Sequence, residues 1–266
     1  MTFLLAFYAF AIGAVVGSFL NVVIHRYPRE ESIVFPPSHC PNCNTNIRWF
    51  DNIPIVSYLV LGARCRNCRV PISPRYPLIE LANGLFYLAV FQRTGAEFAF
   101  IPIAAIVSMT IVLIFIDLEI QILPDVIDLP GIAIGVAIGA FRFGERYPEF
   151  TLAESWLESL IGAAMGALVL FGIAFAYQLI RRVEGMGLGD VKMLAMIGAI
   201  VGWRALFPVL MIASISGAVV GLLVATRSRR GMQAAIPFGI FLGLGLLVVV
   251  FFGPTLLRWY LALLLR

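Results

Sequence analysis

Five aspartates and four cysteines carry most of the chemistry open to this 266-residue chain. The cysteines form two pairs, Cys40-Pro-Asn-Cys43 and Cys65-Arg-Asn-Cys68, separated by 21 residues. That gap is just longer than the usual zinc-ribbon spacing of about 15–20 residues. Two such hairpins present four thiolates, which suits tetrahedral Zn²⁺ in a closed, structural site with no open position. Arg64, Arg66 and Arg69 flank the second pair and offset thiolate charge. Two disulfides are the plain alternative, and a redox dithiol is a lesser one without a thioredoxin-like strand–helix unit nearby. His39 adjoins Cys40 and reads as a surface residue, and His25 as an interfacial one.

The aspartates are Asp51, Asp117, Asp125, Asp128 and Asp190. Asp117 closes the apolar run Ile111-Val-Leu-Ile-Phe-Ile-Asp117. A carboxylate there is costly unless water or a partner meets it, so it is a functional candidate by default. An interfacial Asp meeting water at a helix end is the bland reading. Asp190 ends Glu184-Gly-Met-Gly-Leu-Gly-Asp190 just before another apolar run. Its glycines permit positive φ and close backbone approach. A simple N-cap in a glycine-rich turn is the alternative, and no phosphate-loop pattern is present. Asp125 and Asp128 follow Pro124 and read as capping or interface residues, with Asp125 the main rival to Asp117. Glu80 enters an apolar run and could pair with an Arg or help bind a ligand.

These residues need elements to hold them, and composition names the elements. Hydrophobic residues make up 61% and charged residues 13%, against roughly 45–50% and about 25% in soluble domains. Mean hydropathy is +0.97. A soluble globule could not cover its surface with so few charges, and disorder is excluded by the apolar runs. The chain reads as an all-α polytopic membrane protein. Apolar stretches near 3–24, 78–95, 98–117, 124–142, 156–180, 190–202, 205–226 and 235–262 predict eight spans. The first has no basic n-region or A-x-A-like site and reads as a retained span.

A polar segment from His25 to Pro77 holds all the cysteines and both histidines. It carries Arg26, Arg29, Arg48, Arg64, Arg66, Arg69 and Arg75, and such an excess marks the cytoplasmic side. Eight crossings then place Arg181, Arg182, Lys192, Arg227, Arg229 and Arg230 inside as well. Arg93, Arg142, Arg146, Arg204, Arg258 and Arg266 remain outside. The expected division is a first helix over 1–24, a cytoplasmic Cys₄ insertion over 25–77 and a transmembrane core over 78–266. Gly162-Ala-Ala-Met-Gly166 and Gly239–Gly245 predict close helix packing.

The same orientation puts Asp117 at the inner end of one helix and Asp190 at the inner start of another. Two facing carboxyls in a low-dielectric site share a proton. One can then act as base on water and the other as acid to a carbonyl.

The chain resembles the bacterial prepilin leader peptidases, bifunctional membrane enzymes of type IV pilus and type II secretion systems. The match runs nearly end to end. It includes Gly17-Ser-Phe-Leu-Asn-Val-Val-Ile-His-Arg-Tyr-Pro28, both Cys pairs, Asn52-Ile-Pro54 with Ser57-Tyr58, and Arg75-Tyr-Pro77 with Glu80. It continues through Ile116-Asp117 with Leu123-Pro-Asp125, then Glu184–Asp190, and ends at Ile236-Pro-Phe-Gly239. The resemblance implies that Asp117 and Asp190 are the catalytic pair of a G-x-G-D aspartic peptidase, with Asp117 preferred over Asp125. It implies cleavage of the basic leader of a prepilin or pseudopilin at the cytoplasmic face of the bacterial inner membrane. It also implies N-methylation of the new N-terminus with S-adenosylmethionine. No Rossmann fingerprint is present, and the residues that bind this donor are not identifiable. Two departures stand out: a longer stretch between 142 and 156, and Ile240 where the family usually has Pro. The expected partners are the substrate, the lipid bilayer and pilus or secretion assembly proteins, with no nucleic acid. A proton-coupled transporter and a non-catalytic assembly protein with the Cys module as docking platform are the competing classes. A transporter predicts more acidic residues near mid-span, and here both Asp lie at the ends of apolar runs.

Overall fold

In a computed structural model, residues 2–182, 187–227 and 237–264 are described. Glu184, Gly185 and Met186 of the glycine-rich motif, Arg229 and Arg230, and Ile236 of the closing motif lie outside them. Among the described residues all regular structure is helical, with only the isolated bridges His39↔Asn46 and Arg64↔Pro71. The chain divides into two compact units, Met1–Val112 and Leu113–Arg266.

The first unit contains α1 (Thr2–Arg26), α2 (Val56–Val60), α3 (Arg75–Thr94) and the start of α4 (Phe100–Ile120). In lipid there is little hydrophobic drive between helices, so small residues and polar bonds must hold them. The α1–α3 crossing shows both devices. Gly13 lies against Tyr87, Gly17 against Glu80, and Gly84 against Phe10, where a Cβ would collide. Asn83 donates to the carbonyl of Gly13 at 2.7 Å and accepts from Ser108 Oγ at 3.0 Å. Tyr87 OH lies 3.1 Å from the same hydroxyl.

The second unit contains the end of α4, then α5 (Asp125–Ala140), α6 (Phe143–Arg146), α7 (Trp156–Arg181), α8 (Leu188–Arg227) and α9 (Gly239–Leu264). The first half of α8 is its centre: Met193, Leu194, Ile197 and Ile200 are fully buried. A helix apolar on all sides is one enclosed by its neighbours. Gly162 meets Gly198 backbone to backbone, Gly166 meets Leu194, and Gly135 meets Ala199. The predicted close packing at Gly162 and Gly166 is therefore present.

The eight predicted apolar stretches fall on seven helices among the described residues. Among the described residues, five helices are long and apolar enough to cross a membrane: α1, α4, α7, α8 and α9. At 20 residues, α3 carries Glu80, Asn83 and Arg93 within it, and α5 has 16 residues, about 24 Å of helix. The predicted spans 190–202 and 205–226 form one element, broken at Gly202 (φ 76°, ψ 169°). Unbroken, 40 residues would run about 60 Å, twice the hydrocarbon thickness.

The break leaves backbone to satisfy, and the long stretch before α7 does so. With Gly202 out of helical geometry, the carbonyl of Ile200 accepts from Ala153 N–H at 2.9 Å. Pro254 inside α9 has no N–H for the carbonyl of Val250, which accepts from Thr151 N–H at 3.0 Å. Phe150, Leu152 and Ala153 are buried. Irregular backbone persists inside a membrane protein only when such groups are paired.

Candidate active site and metal centre

Asp117 lies one turn before the end of α4 and is 4% exposed. The predicted span ended at residue 117; the helix runs on to Ile120, and Gln121 leaves it in the left-handed region (φ 57°). The carboxyl is therefore inside the helix rather than at its frayed tip. Its Oδ2 accepts the backbone N–H of Ile240 at 3.1 Å. Ile240 is the second residue of α9, where N–H groups lack intrahelical partners and the dipole favours negative charge. A Cβ on Gly239 would sit 2.7 Å from that oxygen, so the carboxyl can reach the start of α9 only over a glycine.

Asp190 is the third residue of α8 and half-buried. It lies within the helix and is not its N-cap. Leu123 links the two supports, because a Cβ on Gly189 or on Gly239 would press on its side chain. The loop after α4 thus packs against the residue before Asp190 and the residue beside Asp117.

Asp125 is engaged elsewhere. Both its carboxylate oxygens accept from Lys192 Nζ, each at 2.7 Å. The expected capping roles are not observed: α5 begins after Pro124 without a side-chain cap. Proline offers no N–H for an acid in the first turn to bond back to. Asp128 is fully buried.

The four cysteines converge in the first unit. Their Sγ atoms all lie within 4.8 Å of one another, with Cys40 and Cys68 at 3.7 Å. All four are free thiols. A tetrahedron of Zn–S bonds of about 2.3 Å has edges near 3.8 Å, so the donor set and spacing fit a metal. The two hairpins are built alike. Cys40 N–H bonds the carbonyl of Thr45, and Cys65 N–H that of Val70. Asn44 N–H returns to Cys40, and Arg69 N–H to Cys65, with both residues at positive φ. Asn67 Nδ2 donates to Thr45 Oγ1 at 3.0 Å and ties one hairpin to the other. The hydrogen bonds at Thr45 hold the Cys43 thiol down to about 6, while burial pushes that of Cys40 up to about 11. Arg66 is spent on Asp51, in a two-pronged pair at 2.6 and 2.8 Å. His39 is outside the cluster, its Nδ1 3.1 Å from the Pro37 carbonyl.

Glu80 has a backbone partner. Its Oε2 accepts from Ile55 N–H at 2.7 Å. Ile55 sits at φ 63°, ψ −50°, strained for a β-branched residue. Glu80 thus pins the turn after Asn52-Ile-Pro54. A cavity of about 310 Å³ in the same unit is lined by residues that include Ser18, Arg26, Pro36, Ser38 and Asn52. Arg26 is buried there, donating to the carbonyls of Ser32 at 3.0 Å and Pro36 at 2.8 Å. Sequence reasoning missed Ile55, Gly239 and Ile240 as site residues; the Pro237-Phe-Gly239 match was the available signal for the last two.

Two family models match the chain. The Bacterial Peptidase A24 N-terminal domain covers residues 11–94 and the Type IV leader peptidase family covers residues 104–222. A prepilin leader peptidase/N-methyltransferase of Myxococcus xanthus is 43% identical over 227 residues, covering 85% of this chain and 65% of that protein. A protein of the same name from Burkholderia pseudomallei is 38% identical over 275 residues, covering 92% of this chain and 85% of its own length. The Aeromonas hydrophila protein of that name is 35% identical, covering 95% and 92%. No solved structure matches. The chain belongs to the type IV leader peptidase family.

Proposed function

We propose that this family member is a bifunctional prepilin leader peptidase and N-methyltransferase, with Asp117 and Asp190 as its catalytic pair. The observation that supports the assignment is that Gly189, next to Asp190, and Gly239, beside the Asp117 carboxyl, both lie against the Leu123 side chain, while Asp125 is held by Lys192. Two carboxyls in one field do not both ionise readily, so the pair holds one proton. The ionised member takes a proton from a water, whose oxygen attacks the scissile carbonyl carbon. The protonated member gives its proton to the carbonyl oxygen. Collapse of the tetrahedral species breaks the C–N bond, and the amine leaves with a proton from the pair. The Ile240 N–H and the start of α9 steady Asp117 throughout.

The substrate is a prepilin or pseudopilin, with a short basic leader before an apolar helix. That helix packs among the enzyme's spans, and the cut falls where leader meets membrane. Arginine bias along the chain supports a periplasmic N-terminus, with the Cys segment and the aspartates on the cytoplasmic side of the inner membrane. Pilus or secretion assembly proteins are the expected further partners.

S-adenosylmethionine supplies a methyl group for the newly exposed amine. Cys40, Cys43, Cys65 and Cys68 hold one structural Zn²⁺, since four thiolates leave no open position. Residues 25–77 are the zinc-binding segment and 78–266 the peptidase core.

Purified protein in detergent is incubated with a prepilin, with and without S-adenosylmethionine, and the products are weighed by mass spectrometry. A shortened pilin, heavier by one methyl group when the donor is present, is the expected result. A pilin of unchanged mass rejects the peptidase reading. Cleavage without the added mass rejects the methyltransferase half alone.

A further inference from the structure

The cavity of about 310 Å³ in the first unit is lined entirely by residues 15–54, and the proposed peptide cleavage makes no use of it. Its volume falls at the lower end of small-molecule sites, roughly 300–1,000 Å³, which are largely apolar with a few placed polar groups. Phe19, Val22 and Pro37 supply apolar wall here, and Ser18, Ser38 and Asn52 supply polar groups.

Arg26 also lines the cavity and is buried. Its Nη1 donates to the carbonyls of Ser32 and Pro36 at 3.0 and 2.8 Å, and its Nη2 to that of Pro37 at 3.5 Å. Of the five guanidinium N–H groups, two are left over. No carboxylate pairs with Arg26 among the described residues. A buried cation without a counter-charge is costly, and a guanidinium takes a carboxylate through two N–H groups in a fork.

The opposite wall is held under strain. Val56 N–H donates to the Pro54 carbonyl at 2.6 Å around Ile55 at φ 63°, ψ −50°, the rare form of the three-residue turn. Glu80 pins that turn through the Ile55 N–H. Strain that a neighbouring group holds in place is concentrated at ligand sites. Here it fixes Asn52 and Pro54, both of which line the cavity.

We propose that this cavity is the methyl-donor site, with Arg26 receiving the carboxylate of S-adenosylmethionine and the apolar wall its adenine ring. The carboxylate is the donor's one anion and supplies the charge that Arg26 lacks. No bond forms or breaks at Arg26. The inference deepens the methyltransferase reading above and rests on it.

The test titrates full-length protein in detergent, by calorimetry, with two non-reacting ligands. S-adenosylhomocysteine keeps the carboxylate and methylthioadenosine lacks it. Arg26→Gln is expected to weaken the first about tenfold or more and the second less than about threefold. Val22→Trp fills the apolar wall and is expected to weaken both. Unchanged S-adenosylhomocysteine binding in either variant, or equal loss of both ligands in a folded Arg26→Gln, overturns the proposal. Ultraviolet crosslinking of methyl-labelled S-adenosylmethionine to the wild type decides if the variants do not fold. Label within residues 15–54 is expected, and label confined elsewhere overturns the site. A wild type that binds neither ligand and transfers no methyl group overturns the transferase reading itself, a result distinct from any change confined to the variants.

Discussion

The backbone N–H of Ile240 donates to Oδ2 of Asp117 at 3.1 Å, joining α9 to α4 across 123 residues of chain. The resemblance leads one to expect proline at 240, and proline could not make this bond. Ile240→Pro is therefore expected to lower prepilin cleavage roughly tenfold, the scale of one charge-assisted hydrogen bond. Gly239→Ala places a methyl on the carboxyl and should cost more. Initial rates at matched protein abundance check both, and unchanged rates would remove α9 from the site.

Asp117→Asn and Asp190→Asn are each expected to abolish cleavage at near-normal abundance. Asp125→Asn should retain it, because its pair with Lys192 is half-exposed and such pairs contribute about 0–1 kcal/mol. The readout is leader removal in cells carrying each variant. Loss in Asp125→Asn with activity in Asp117→Asn would exchange their roles.

Purified protein should contain one zinc per chain, and Cys→Ser at any of the four positions should lower that ratio. Ligand thiols must lose their protons to bind, so metal retention falls as pH falls. Elemental analysis over a pH series checks this; a metal-free protein with reduced thiols would count against the site. Cys replacement is expected to harm folding or methylation more than peptide cleavage.

Arg66 holds the Asp51 carboxyl below the usual carboxylate range. A depressed folded value means the pair stabilises the Cys segment above the unfolded value of about 4, and that support is lost as pH falls through the lower folded value. Asp51→Asn should flatten the acid limb of metal retention below about pH 4 and leave neutral-pH retention nearly unchanged. An unchanged acid limb would show that the pair does not couple to the hairpins.

Ala153→Pro removes the N–H that meets the Ile200 carbonyl. Leaving that buried carbonyl unpaired should cost about 1–3 kcal/mol. A thermal-unfolding series in detergent reads this as a lowered midpoint. Ala153→Ser keeps the N–H and serves as the comparison.

The helices were largely legible because bilayer thickness leaves a strong mark on composition. Even the break between 190–202 and 205–226 was visible, and Gly202 sits at it. The cysteine cluster was legible from local spacing, since each hairpin is closed by bonds within six residues. The placement of Asp117 near one helix end and Asp190 near another helix start was legible from the apolar runs beside them. What stayed hidden depends on distant partners of ordinary type. Nothing about Ile240 marks its N–H as a donor, and nothing in Asp125-Val-Ile-Asp128 shows that one acid meets a lysine while the other is enclosed. Glu80 was ambiguous because its partner is backbone, at a strained Ile55 that no side-chain pattern announces.

The Thr151 and Ala153 amides mend two interruptions at once, one beside Gly202 and one beneath Pro254. Three places far apart in the chain should therefore vary together in evolution. A descendant that trims the 142–156 stretch would orphan two carbonyls in oil, and should survive only by straightening both rods, giving up that glycine and that proline in the same lineage.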